Sequence, residues 1–216
     1  MADDLKYGYK GADVPQSFGN NKGVFDPADI NNLVKDDKWT NYGQLELIET
    51  QTVTSGQVMD FTSIQESTYN VHFLAIQGIG GGAEVSSTHT KIRFFVNGTL
   101  RTGNVYQYAY QYNWANGTNG ENKSTTSTNI PSGTEVFDNA NDGAGSYVYL
   151  YNLGDSAKYS FATYQGVQTV LGVQRGYFGS GVLTQENTVD GIRLYSANSI
   201  DYISLQASLY GIKEYS

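Results

Sequence analysis

The chain has 216 residues, 13 basic and 21 acidic, giving a formal charge of −8, with 25 Gly, 18 Tyr, 3 Pro and no Cys. Without Cys there is no thiolate metal cluster, Cys nucleophile or redox motif, and two His (His72 and His89) leave little for zinc or a His-based triad. An acidic chain has the wrong sign for tracking phosphate, and no window approaches ~18 consecutive apolar residues, so neither nucleic acid nor membrane insertion is expected.

The chain opens MADDLKYGYK, with acids and no apolar core segment, so this stretch does not read as a signal peptide. Residues 1–22 are polar and Gly-rich, with isolated anchors at Tyr7, Tyr9, Val14 and Phe18. A short helix is predicted over about 26–38. Asp26 suits the N-cap, Pro27 the first helical position, and Asp29 the positive end of the helix dipole. Ile30, Leu33 and Val34 form one apolar stripe. A helix this short is not stable alone, so it must pack on its own domain or on a neighbouring chain. Residues 1–41 therefore read as an N-terminal arm and 42–216 as a separate domain.

From Tyr42 the apolar period switches to two. Strands are predicted over 44–54, 58–64, 69–77, 91–96, 105–114, 146–153, 159–164, 169–174, 191–195 and 200–212. Asn97-Gly98 between two of them is a type I′ hairpin signal, because both central residues of that turn need positive φ. Abundant Tyr, Thr, Val and Ile, with Gly, Asn, Asp and Ser between the runs, point to an all-β sandwich or barrel. Residues 77–87, with GIGGGAE, and 115–144, rich in Asn, Gly, Ser and Thr, read as two long loops.

The segment VYQYAYQYNW places Tyr106, Tyr108, Tyr110, Tyr112 and Trp114 on one strand face, and Tyr147, Tyr149 and Tyr151 repeat the pattern. Two readings fit. The ladder is a platform on which sugar rings stack, or it is cross-strand packing in a core or at a subunit interface. Elsewhere the motifs fail. GTNGENKS has Asn122 where a phosphate-binding loop needs its second glycine, and no helix follows. DNANDGAG (138–145) lacks the third ligand and the bidentate Glu of an EF-hand, which leaves only a looser calcium loop as an alternative. The sequons at Asn97, Asn116 and Asn122 read as turn chemistry. Neither His has a partner at catalytic spacing. No metal or other cofactor is expected, and the chain reads as non-enzymatic.

YGQLELIETQTVTSGQVMDFTSIQESTYNVHFLA (42–75) and ISLQASLYGIKEY (203–215) resemble the opening and closing strands of small structural proteins of tailed bacteriophages, of the type met in marine and cyanobacterial phages. NKGVFDPADINNLVKDDKW (21–39) resembles a leader found before fibre or head-fibre domains. The resemblance implies a jelly-roll-like β-sandwich in a virion protein assembled in the host bacterial cytoplasm. A tail fibre or tail-associated subunit and a capsid decoration protein are the expected roles, and a homotrimer the expected assembly. Docking onto other virion proteins is expected through Phe18, Phe25, Ile30, Leu33, Val34 and Trp39, with Phe25 and Trp39 as hot spots. The alternative is a receptor-binding module that grips a host surface glycan. That module would leave several of the Tyr106–Trp114 aromatics exposed, whereas a structural subunit would bury them.

Overall fold

The computed structural model describes residues 27–36, 45–81, 88–136, 143–170, 172–197 and 200–213. The chain divides into two units, residues 1–44 with 214–216, and residues 45–213. In the first, helix α1 runs over Pro27–Lys35 with Pro27 at its first position. Leu33 is buried and Ile30 half-buried, whereas Val34 is 55% exposed, so the apolar stripe is narrower than its spacing suggests. Phe18, Phe25 and Trp39 lie outside the described residues.

Among the described residues the second unit holds thirteen strands, and their pairings are antiparallel. They are β1 (Leu45–Val53), β2 (Val58–Phe61), β3 (Val71–Gly81), β4 (Thr88–Val96), β5 (Thr99–Leu100), β6 (Tyr106–Trp114), β7 (Asn119–Ser127), β8 (Ile130–Val136), β9 (Ala144–Tyr151), β10 (Ser160–Val170), β11 (Val173–Leu183), β12 (Gly191–Ser196) and β13 (Tyr202–Ile212). One sheet has eight strands in the order β1-β13-β3-β9-β10-β11-β6-β7. The other has the order β2-β12-β4-β5, with β8 pairing along the rest of β4.

The chain alternates between sheets, so that β1-β13-β3-β9 faces β2-β12-β4-β5. This is a jelly-roll-like sandwich. Two additional hairpins, β10-β11 and β6-β7, extend the first half from four strands to eight. Strands β1 and β13, which carry the two terminal stretches of the phage resemblance, lie side by side with Leu45 opposite Ile212 and Leu47 opposite Tyr210.

Alternation explains most elements. In β10, Ser160, Ala162, Tyr164, Gly166 and Gln168 are buried while Phe161, Thr163, Gln165 and Val167 are exposed, the period of a half-buried strand. Leu74, Val148 and Leu209 of the large sheet meet Phe61, Ile92, Phe94, Ile192 and Leu194 of the small one in a single core. Asn97 and Gly98 adopt φ of 50° and 68° in the β4–β5 turn, as their dipeptide predicts.

Several strands depart from expectation. The segment read as a loop over 115–144 contains β7 and β8, and residues 77–81 continue β3. The predicted strand over 169–174 instead spans the β10–β11 connection, with Gly172 at φ 77°, and β11 continues to Leu183. The two-residue strand β5 gave no periodic signal. The reasons are physical. β7 (NGENKSTTS) is a polar edge strand with no face to bury. β11 breaks its apolar pattern with Gly176, Gly179 and Gly181. β8 is buried from Ile130 to Glu135, so it shows no alternation at all. It crosses beneath the large sheet with the Gly133 carbonyl against Gly166, an approach that leaves no room for a β-carbon on Gly166.

Candidate functional site

The register of the large sheet aligns side chains into rows that run across the strands. One outward row reads Leu47, Tyr210, Phe73, Tyr149, Thr163, Ser180, Ala109 and Lys123. The next, beginning at Ser208, reads Ala75, Tyr147, Gln165, Phe178, Gln111 and Glu121. A third reads Leu45, Ile212, Val71, Tyr151, Phe161, Val182 and Gln107. From β1 through β6 none of these outward positions carries a charge. The face's charges, Glu121 and Lys123, sit on edge strand β7 and pair with each other at 2.8 Å.

The two halves of this face differ. Over β1, β13, β3 and β9 it is uncharged, aromatic and apolar around Phe73 and polar beyond it, where Thr50 bonds Ser208 and Gln77 bonds Gln206. Phe73 sits among Tyr149, Tyr147 and Tyr210 with centroid separations of 5.0, 6.1 and 6.0 Å, while Leu45 and Leu47 are 48% and 60% exposed. Over the added hairpins the face is mixed and carries shallow, open depressions. Two adjoining grooves of about 590 and 760 Å³ share Ala109, Thr163, Ser180 and Lys123. Tyr147, Gln165, Phe178 and Gln111 line the first, Phe161, Val182 and Gln107 the second. Tyr147 donates its hydroxyl proton to Gln165 Oε1 at 2.5 Å.

The outward face of the small sheet is the opposite in character. Arg193 binds Asp60 through two hydrogen bonds of 2.6 Å. Arg93 beside it donates to the Thr128 carbonyl at 2.9 Å and lies over the Tyr195 ring at 4.5 Å, and Lys91 precedes it by two positions.

The Tyr106–Trp114 ladder points inward. Tyr106 and Tyr110 are buried, and Tyr108, Tyr112 and Trp114 are half-buried on the core side of the sheet, so none of the five stands on the outward face. The alternating outward positions are Gln107, Ala109, Gln111 and Asn113. The Tyr106 hydroxyl accepts from the Phe94 N–H at 3.0 Å and donates to the Arg101 carbonyl at 3.1 Å, and burial pushes its pKa up to about 12. The recurring Tyr147, Tyr149 and Tyr151 are the outward set.

At one end of the ladder lies a buried polar network that the sequence did not suggest. Glu135 of β8, 2% exposed, accepts from Tyr177 Oη at 2.8 Å and from Gln168 Nε2 at 3.1 Å. Gln168 Oε1 in turn accepts the Glu135 backbone N–H at 2.7 Å. Arg175 joins through Nη1, and its guanidinium lies 4.2 to 4.6 Å from the ring centroids of Tyr112, Trp114 and Tyr177. Burial, then the Glu135 charge, raises the Tyr177 pKa, so this hydroxyl stays protonated and donating. His89 Nε2 is 3.5 Å from Glu135 and 3.4 Å from Tyr110 Oη. Burial lowers its pKa, outweighing the opposing pull of Glu135, and we assign it as neutral. His72 is also lowered by burial, with Nε2 2.8 Å from the Ile64 carbonyl. The carboxylate is fully engaged by its neighbours, so the network braces the crossing of β8, β10 and β11.

Among the described residues no group of three or more His, Cys, Asp or Glu could hold a metal ion, and no helix is long and apolar enough to cross a membrane. Residues 138–142 of the acidic loop lie outside the described residues. Comparisons with protein families, curated proteins and solved structures gave no match for the chain.

Proposed function

We propose that this chain is a non-enzymatic structural subunit of a tailed-phage virion, associating with copies of itself through the β1-β13-β3-β9 half of its large sheet. The observation that carries self-association is the uncharged outer face of that half in a chain with 21 acidic and 13 basic residues. Copies of a chain with charge −8 repel one another, and contact is cheapest where no charge must be desolvated or brought against its own kind. Leu45, Leu47, Phe73 and Tyr210 supply apolar and aromatic surface of the kind enriched at interface centres. Inward burial of the Tyr106–Trp114 ladder supports a structural subunit over a glycan platform built on that ladder.

The virion assignment rests on the sequence resemblance of residues 21–39, 42–75 and 203–215, which also suggests a trimer docked onto other virion proteins through the N-terminal arm. A tail-associated subunit and a capsid decoration protein both suit this reading. Two experiments test it. Sedimentation equilibrium of the full chain gives a homo-oligomer, and a monomer at about 100 μM, well above a micromolar Kd, refutes self-association. Antibodies against the chain label purified phage particles from cells expressing it, and particles free of the protein refute the virion role.

A further inference from the structure

We infer that the paired grooves over β9, β10, β11, β6 and β7 bind a neutral oligosaccharide. The site is made by the two added hairpins together with Tyr147 of the adjoining strand β9, and it lies away from the Leu45 and Leu47 end of the half proposed for self-association. Because the grooves share part of their lining, they form one trough. Along β6 from Gln107 to Gln111 it extends about 14 Å, at ~3.4 Å per residue, which suits a linear chain better than a compact ligand. The larger groove, at about 760 Å³, lies within the usual range of small-molecule clefts, ~300–1,000 Å³.

The lining chemistry selects the ligand class. Tyr147 and Phe178 present aromatic surface against which the C–H face of a sugar ring can stack. Around them stand Gln165, Gln111, Thr163 and Ser180, whose amide and hydroxyl groups both donate and accept, as sugar hydroxyls do. Charge is confined to Glu121 and Lys123 on the outer wall, where each neutralises the other at 2.8 Å. An anionic ligand would meet no unpaired cation in this lining, and a cationic ligand no unpaired carboxylate. The two aromatic side chains are held on sheet strands, so stacking on them orders little that is not ordered already.

The test uses the full chain and soluble hexasaccharides derived from dextran, mannan and galactan, with polygalacturonate and an uncharged Gly/Ser peptide as contrasting probes. Saturation-transfer NMR and titration should show saturable binding of at least one neutral saccharide at a Kd below about 10 mM, little changed between about 0.05 and 0.5 M salt. Phe178→Ala and Gln165→Ala, both at exposed positions, should each weaken that binding by about tenfold or more with unchanged unfolding midpoints. Leu47→Glu should leave it unaltered, which separates failure of this site from failure of self-association. Binding by none of the neutral saccharides, salt-sensitive preference for polygalacturonate, peptide binding in their place, or full affinity in both groove variants would each overturn the assignment.

Discussion

Arg175 donates through Nη1 to both carboxylate oxygens of Glu135, at 3.0 and 3.1 Å, inside the sandwich where Glu135 is 2% exposed. Removing one member of a buried pair strands the other without compensation, at a cost of ~3–5 kcal/mol. Glu135→Ala should therefore lower the urea midpoint by that equivalent. Replacing both partners, as Glu135→Leu with Arg175→Met, should recover much of the loss, since an apolar pair needs no desolvation offset. A wild-type midpoint for Glu135→Ala would show that the network does not brace the fold.

Tyr106 joins β4 to the segment after β5 by accepting from Phe94 and donating to Arg101. Tyr106→Phe keeps the ring and its packing but leaves the Phe94 N–H and the Arg101 carbonyl without this partner. The expected loss is about 1–3 kcal/mol by equilibrium denaturation. No change would mean that both groups find another partner at no cost.

The two histidines should make stability fall in acid. Burial lowers both pKa values below the ordinary value of 6.5, so near neutral pH each is uncharged in the folded and mostly uncharged in the unfolded chain. Below that value the unfolded chain takes up protons first, and stability is lost as pH falls through the folded pKa. The charges facing His89 are Glu135, Lys91 and Arg175, beside the Tyr110 and Tyr177 rings, and Glu66 acts on His72 next to the Tyr69 ring. Denaturation midpoints should decline from about pH 6.5 downward, more steeply than in a His72→Gln, His89→Gln variant over the same window. Equal slopes would remove the histidines from the account.

Gly166 faces the backbone of the crossing strand β8. A β-carbon there would run into the Gly133 carbonyl, which sits on backbone and cannot rotate aside. Gly166→Ala should destabilise by about 1–3 kcal/mol or more, the cost of overpacking a close contact. Gly98→Ala offers a contrast, with open space around its β-carbon but φ at 68°, so its cost is backbone strain alone. A thermal melt of Gly166→Ala matching the wild type would show that the two strands separate without penalty.

Leu47 projects from edge strand β1 and is 60% exposed. Leu47→Glu should leave the unfolding free energy of the subunit within about 0.5 kcal/mol while shifting sedimentation towards monomer. An unchanged oligomer with normal folding would move the interface elsewhere.

Regular alternation made much of the fold readable in advance. β6, the first half of β10 and β13 pack one face on a core, and a half-buried strand must then alternate. The Asn97-Gly98 turn was equally legible, because its positive φ values select those residues. β7 and β8 were hidden for opposite reasons. The first is a polar edge whose structure comes from pairing with β6, and the second is enclosed on both sides, with polar groups satisfied by partners distant in sequence. Ser132 donating to the Thr90 carbonyl at 2.9 Å is one such bond. The outward Tyr147 and Tyr149 were visible as a repeat, but the groove they share with Gln165 and Phe178 required the register of three hairpin strands.

Local chemistry along the chain determined its class: charge sign, absent Cys, period-two patterning and turn residues follow from composition and neighbours, and they led to an all-β domain behind a short helix. Which side of each strand became core was decided only when the sheets packed. The same alternation puts Tyr106, Tyr110 and Tyr177 inside and Tyr147 and Phe178 outside, and a period of two cannot distinguish those outcomes. Bonds such as Arg175 to Glu135 span 40 residues and depend on β8, paired with β4 of the small sheet, crossing beneath the large one, so proximity along the chain carries no sign of them.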